Sequence, residues 1–214
     1  MRFFESNVIE RIAERVSLVG KQVLEIGCGY GFRSERLRQY CKSLVGIDPD
    51  PRMIRLAVGG LNFSNLRFEL GSAETLRFEP VSFDVALFSQ CLHHIPPANM
   101  KLAIDNAVTV LGINCPVIFL EPCFHGSMYE AESLFDAGDG DESEAKRLAH
   151  TAMHAHDGLQ LVEEFEEVEY YRLSRSDFEA YKHPKQNQWM LEWFLERHRY
   201  RLVAPRRISI FRTK

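Results

Sequence analysis

Residues 22–34 read QVLEIGCGYGFRS: three glycines alternate with Cys28 and Tyr30 behind a short apolar run that contains Glu25. Glycine costs backbone entropy and persists where no Cβ fits. Gly27, Gly29 and Gly31 therefore point to a ligand lying against bare main chain, with a carboxylate just before it. A G-x-G-x-x-G pattern would predict a dinucleotide whose pyrophosphate sits at a helix N-terminus. Here the third glycine arrives one residue early and position 32 is Phe. Downstream, Asp48 closes SLVGID, where a carboxylate can accept both hydroxyls of a ribose. GSAETLRF (71–78) lies where a purine edge would fall, and FDVALFSQCLHHI (83–95) runs from an apolar stretch into a polar turn.

Further groups could carry protons or metals. His93 and His94 are candidate proton acceptors, because histidine titrates near neutral pH; the alternative is that they pack the turn before Pro96 and Pro97. Glu121 ends the run PVIFLE and either faces a substrate or is a surface carboxylate. His150 and His154 are four apart, a spacing that puts two ligands on one helical face, with His125 as a possible addition. There is no H-E-x-x-H motif and no cysteine partner, so the expectation is no metal and a helix that lines a pocket with polar groups.

These residues need elements to position them. SNVIERIAERVSL (6–18) has a helical apolar face, and KQVLEI (21–26) and SLVGID (43–48) read as strands buried on both faces. PDPRMIRLAV begins a helix with Asp50 as N-cap and Pro51 as its first residue. Strands follow at 65–70, 83–89 and 116–121, with a helix over 97–111. Strand and helix alternating this regularly predict a doubly wound, mostly parallel α/β sheet, whose ligands bind beyond the carboxyl ends of the strands at the switch point. Residues 125–157 read as one or two helices around the acidic loop DAGDGDESEAK, 165–173 as a strand, 176–199 as helix, and RRISIFRTK as a closing strand. The stripe Phe178, Tyr181, Trp189, Trp193 and Phe194 reads first as core and second as the wall of an apolar pocket. The basic run RHRYRLVAPRR reads as a solvated face offsetting the acidic loop.

The chain has 214 residues and a net charge of −4, which suits one domain and gives no global attraction to nucleic acid or anionic membrane. Its five scattered cysteines form no disulfide or zinc-ribbon pattern and fit a reducing, cytoplasmic setting. The start MRFFESNVIE lacks the features of a signal peptide. No apolar run approaches the roughly 20 residues that span a bilayer.

Taken in order, VLEIGCGYG, GIDPD, GSAETLRF, SFDVALFSQCLHHI and VLGINCPVIFLEP resemble the class I S-adenosylmethionine-dependent methyltransferases of the small-molecule type, over residues 20–122 and the closing strand. The resemblance implies a Rossmann-like sheet of seven strands in a single domain, 1–214, with residues 125–160 and 174–204 as helical caps over the active site. It implies S-adenosylmethionine as cofactor. Gly27, Cys28, Gly29 and Gly31 would hold its methionine end and Glu25 its ammonium group. Asp48 would take the ribose hydroxyls; Pro49, Met53, Ser72, Ala73 and Glu74 would surround adenine; Ser89 and Gln90 would line the methyl-donor side. Ser72 stands where the family usually has Asp, and GINCP replaces the usual glycine pair before the fifth strand. The expected reaction is methyl transfer to a small-molecule acceptor, with His94, His93 and Glu121 as catalytic candidates. The alternatives are a non-catalytic S-adenosylmethionine-binding module and an NAD(P)-dependent oxidoreductase.

Overall fold

The structure is a computed structural model that describes residues 4–214; residues 1–3, part of the stretch read for a leader, lie outside it. Its elements are β1 (Phe4–Glu5), α1 (Val8–Arg15), β2 (Gln22–Ile26), α2 (Phe32–Leu37), β3 (Ser43–Asp48), α3 (Pro51–Gly60), β4 (Leu66–Leu70), β5 (Val85–Ser89), α4 (Pro97–Thr109), β6 (Pro116–Pro122), α5 (Ser127–Phe135), α6 (Ser143–His154), β7 (Leu159–Arg172), α7 (Arg175–Lys182), α8 (Leu191–Arg197) and β8 (Arg201–Thr213). They form one eight-stranded sheet in the order β1-β7-β8-β6-β5-β2-β3-β4. The pairs β4–β3, β3–β2, β2–β5 and β5–β6 are parallel, while β8 is antiparallel to both β6 and β7. The seven expected strands are present, and Phe4–Glu5 adds an eighth by pairing antiparallel with Tyr170 and Tyr171 of β7.

The parallel half follows from its sequence. β2 lies between β3 and β5, so both its faces are covered and its apolar run is nearly unbroken. The Asp50 side chain accepts the Arg52 N–H, with Pro51 at the first helical position, as the capping pattern requires. One apolar layer packs α4 and α6 on one face of the sheet, around Phe88, Phe119, Ile104 and Met153. The other packs α1 and α2 on the opposite face, around Ile12, Leu37 and Leu87. A third cluster, with Phe135, Phe178, Leu191 and Phe194, joins α5, α7 and α8. The chain runs from β2 outward to β4 and then returns to β5, so the switch point is the β2–β5 seam, directly above the glycine turn.

Two expectations are corrected. The aromatic stripe is divided: Phe178 and Phe194 are core, but Trp189 is 83% exposed and Trp193 54%. The stripe is broken because α7 ends at Lys182, where His183 turns left-handed, and a separate short 3₁₀ turn over Gln188–Met190 precedes α8. Arg197 and Arg199 of the basic run are exposed as expected, but the rest of it is not a solvated face balancing the acidic loop. It becomes the start of β8, and its arginines meet the carboxylates of neighbouring strands: Arg207 pairs with Glu166, Arg201 with Glu5, and Arg206 with the fully buried Glu169. The register sets Arg206 opposite Glu167, which places Glu169 two residues along on the same face.

Glu169 holds two guanidiniums, Arg206 Nε at 2.5 Å and Arg33 Nη2 at 2.9 Å, and also accepts from the Ser6 hydroxyl at 2.9 Å. Burial pushes its pKa up, but Arg206 and Arg33 outweigh burial and hold the carboxyl below the usual value. The stability it contributes is therefore complete above the unfolded carboxyl pKa and is lost as pH falls through the folded one. Glu169→Ala, which strands the buried Arg206 and the half-buried Arg33, is expected to cost ~3–5 kcal/mol, read from urea midpoints at neutral pH. The remaining loss of stability on acidification should be shallower than in the parent.

Candidate functional site

The turn after β2 is held by the end of β3. The Ile47 carbonyl accepts the N–H groups of Gly27 (2.9 Å) and Cys28 (3.0 Å). Asp48 accepts Gly29 N–H on Oδ2 and Asp50 N–H on Oδ1, both at 2.9 Å. Gly27, Gly29 and Gly31 all have positive φ (77°, 54° and 84°), which glycine adopts without steric cost. A Cβ on Gly27 would lie 2.4 Å from the Cβ of Cys91, and one on Gly31 2.7 Å from Leu61 and Phe68, whereas Gly29 faces open space. Gly31 therefore serves packing and the start of α2, and Gly27 and Gly29 form the floor of a cleft.

That cleft consists of two cavities that share Gly27, Gly29 and Gln90. The larger, about 410 Å³, is lined by Asp48, Pro49, Ser72, Ala73, Glu74 and His94, among others. The smaller, about 220 Å³, is lined by Tyr30, Arg33, Ser89, Gln90, Tyr171 and Tyr181, with Cys28 in its wall. Gln90 sits where they meet at φ 55°, a left-handed conformation that is costly for a residue with a side chain. Its N–H is fixed to the Leu120 carbonyl (2.8 Å). Its amide oxygen, assigned from the surrounding donors, accepts from Arg206 Nε (3.1 Å) and Arg33 Nη2 (2.5 Å).

Glu25 lies beneath the turn and is fully buried. Its Oε2 accepts from the Ser34 hydroxyl (2.5 Å), while Oε1 has no hydrogen-bond partner. Burial raises its pKa to about 7, against the pull of the Ser34 and Ser89 hydroxyls and Arg33; Asp48 adds to the rise. On the far wall, the Ser72 hydroxyl meets Thr75 Oγ1 (3.1 Å), and the Ala73 carbonyl accepts from the Asn106 amide (2.9 Å).

Not all predicted residues converge. Met53 lies half-buried in α3 and is absent from both linings. His93 and Glu121 are each only 6% exposed and line neither cavity. They bond to each other through His93 Nδ1, and Glu121 also accepts the Leu92 N–H (3.0 Å), tying the turn after β5 to the end of β6. His94 is on the larger cavity, with Nδ1 3.3 Å from Glu142; burial and His93 lower its pKa. Sequence reasoning missed Arg33, Tyr171 and the Glu169–Arg206 pair. Arg33 stands two residues after the last glycine and was legible as a neighbour, but the others become visible only once β7 and β8 are in register.

Comparison with known proteins agrees with this geometry. A family described as "Methyltransferase domain" matches residues 23–113, from β2 to beyond α4. The phthiotriol/phenolphthiotriol dimycocerosates methyltransferase of Mycobacterium tuberculosis is 34% identical over 128 residues, 59% of this chain and 47% of that protein. This chain thus spans less than half the length of that relative. Among solved structures, N-methyltransferase NodS from Bradyrhizobium japonicum, in complex with S-adenosyl-L-homocysteine, has a TM-score of 0.56 at 20% identity, covering 95% of this chain and 86% of that one. The YcgJ protein from Bacillus has a TM-score of 0.63 at 14% identity, covering 96% and 98%. At these identities the two structures establish the fold.

The residues present fit S-adenosylmethionine. A cofactor without phosphate needs no phosphate cradle, and its ammonium group and ribose diol call for carboxylates. The larger cavity carries the Asp48 carboxylate, Gly29 leaves the floor open, and beneath the turn, outside both linings, the fully buried Glu25 has an unpartnered Oε1. The family match over residues 23–113 and the fold agree in giving the chain the architecture of the class I S-adenosylmethionine-dependent methyltransferases.

Proposed function

We propose that this chain transfers a methyl group from S-adenosylmethionine to a small-molecule acceptor, with the cofactor along the glycine floor and the acceptor in the smaller cavity. The observation that carries this reading is the meeting of two cavities at Gly27, Gly29 and Gln90. In it, Asp48 accepts the ribose hydroxyls, and Pro49, Ser72, Ala73 and Glu74 enclose the adenine. Glu25 directs its free oxygen to the ammonium group. Ser89 and Gln90 flank the reacting methyl, and Gln90 is held in place by two arginines. The cofactor supplies an already activated methyl group, so the chain's task is alignment and exclusion of water, which can be worth roughly 7–11 kcal/mol. A non-catalytic binding module would account for the larger cavity and leave the smaller one without a role.

Among the described residues, no histidine or carboxylate lines the smaller cavity. Burial raises the pKa of both Tyr30 and Tyr181, so these phenols keep their protons at neutral pH and donate hydrogen bonds. The acceptor then reacts through a lone pair it brings itself. His93 and Glu121 act as a positioning pair for the turn after β5, and His94 serves the cofactor end. The segments 125–160 and 174–204 act as caps, in that Glu142 meets His94 and Tyr181 of α7 reaches the smaller cavity.

Calorimetry with S-adenosylhomocysteine tests the foundation, and absence of binding by the folded protein overturns it. Asp48→Ala should weaken that binding by about one to two orders of magnitude, ~1.4–2.7 kcal/mol. Transfer of labelled methyl to a panel of small acceptors, with products read by mass spectrometry, tests turnover. His94→Ala should raise KM for S-adenosylmethionine and leave kcat within about threefold, the pattern of lost uniform binding; a collapse of kcat would return it to the chemistry. The raised pKa of Glu25 predicts a linked proton. Free protein holds the proton below about 7, and a ligand ammonium favours the carboxylate, so S-adenosylhomocysteine affinity should rise as pH increases from 6 to 8. Glu25→Gln should remove that dependence.

A further inference from the structure

Sequence alone offers His150 and His154 only His125 as a third ligand; the fold places His125 beside Glu166 and brings Glu164 to the pair instead. We infer that His150, His154 and Glu164 form a binding site for a divalent transition-metal ion of the zinc type, outside the cofactor cleft.

The two histidines project from one face of α6, and β7 brings Glu164 alongside. His154 Nε2 lies 3.0 Å and His150 Nε2 3.5 Å from the same oxygen, Glu164 Oε2. The three donor atoms are all within 4.8 Å of one another. Zinc bonds to imidazole and carboxylate are ~2.0–2.2 Å, so small side-chain rotations would close the set around one ion and leave further positions for water. The frame is rigid: Ala149 and Met153 anchor α6 in the core, and Phe211 packs edge-on against His154, with ring centroids 5.3 Å apart. The Ser209 hydroxyl donates to Glu164 at 2.6 Å, the kind of outer hydrogen bond that orients a ligating carboxylate.

The sharpest observation is that His150 Nε2 is buried and has no hydrogen-bond partner, although buried polar atoms are nearly always satisfied. An ion between the three residues would satisfy it. The nearest cation, Arg207 Nε, is 3.9 Å away on the other oxygen of Glu164. Two similar clusters are less suited. In His93–His94–Glu142, the Lys146 ammonium already sits 3.2 Å from Glu142 and His93 is bonded to Glu121. In Cys123–His125–Glu166, burial pushes the thiol up to about 12, and Arg207 holds Glu166 at 3.0 Å. An ion at Glu164 would fasten α6 to the sheet, and with it Glu142, which faces His94.

The test uses the full chain, free of any affinity tag and stripped with a chelator. Calorimetry with Zn²⁺ alone should show saturable binding of a single ion. Co²⁺ in its place should give the visible absorption of an imidazole-ligated site, and Zn²⁺ should raise the Tm. His150→Ala, His154→Ala and Glu164→Gln should each weaken binding at least ~tenfold and reduce the shift in Tm, while His125→Ala, at the rival cluster, leaves both unchanged. Glu164→Gln preserves shape, so it decides the matter if a histidine variant melts early without metal. No saturable binding, or binding that survives Glu164→Gln together with either histidine variant, overturns the site.

Discussion

The turn at residues 27–31 survives because a neighbouring strand supplies its missing partners. Three successive amides leave β2 with nothing of their own to bond, and the end of β3 takes all three: two on the Ile47 carbonyl and one on Asp48. Buried or half-buried amides need such acceptors, so the glycines, the strand pairing and the aspartate form one unit. The same aspartate faces the larger cavity. A group that first completes the backbone is thereby set in place for a ligand, and side-chain entropy is already lost before anything binds.

A second constraint operates at the other end of the cleft. Glu169, with no exposed surface, gathers Arg33 from α2 and Arg206 from β8, and both arginines also meet Gln90 at the junction of the two cavities. A carboxylate buried this deeply is tolerable only because its charge is met on two sides. The arrangement links the first helix after the glycine turn to the antiparallel strands that close the sheet. It also holds Gln90 in a backbone conformation that the chain would otherwise avoid.

How much of this was legible depended on the range of the interaction responsible. The parallel strands, the cap of α3 at Asp50 and the glycine turn follow from residues close in sequence, where periodicity and turn chemistry act. β7 and β8 were legible only in part, as strands over 165–173 and 206–214. Their full lengths, Leu159–Arg172 and Arg201–Thr213, add residues 159–164 and 201–205, which are fixed as strand by pairing between β7 and β8. The His93–Glu121 contact was equally hidden, since its members are 28 residues apart and both look like site residues in isolation.

By itself, the amino-acid sequence determined the kind of sheet, the place of the glycine turn and the carboxylates beside it, because strand periodicity and the absence of a Cβ are local properties of the chain. Only the tertiary structure decided which polar residues face the cleft and which are consumed in holding it. It alone supplied Tyr171, the Glu169 charge cluster and the third partner of His150 and His154. Those depend on strand register, which brings together residues that no spacing along the chain relates.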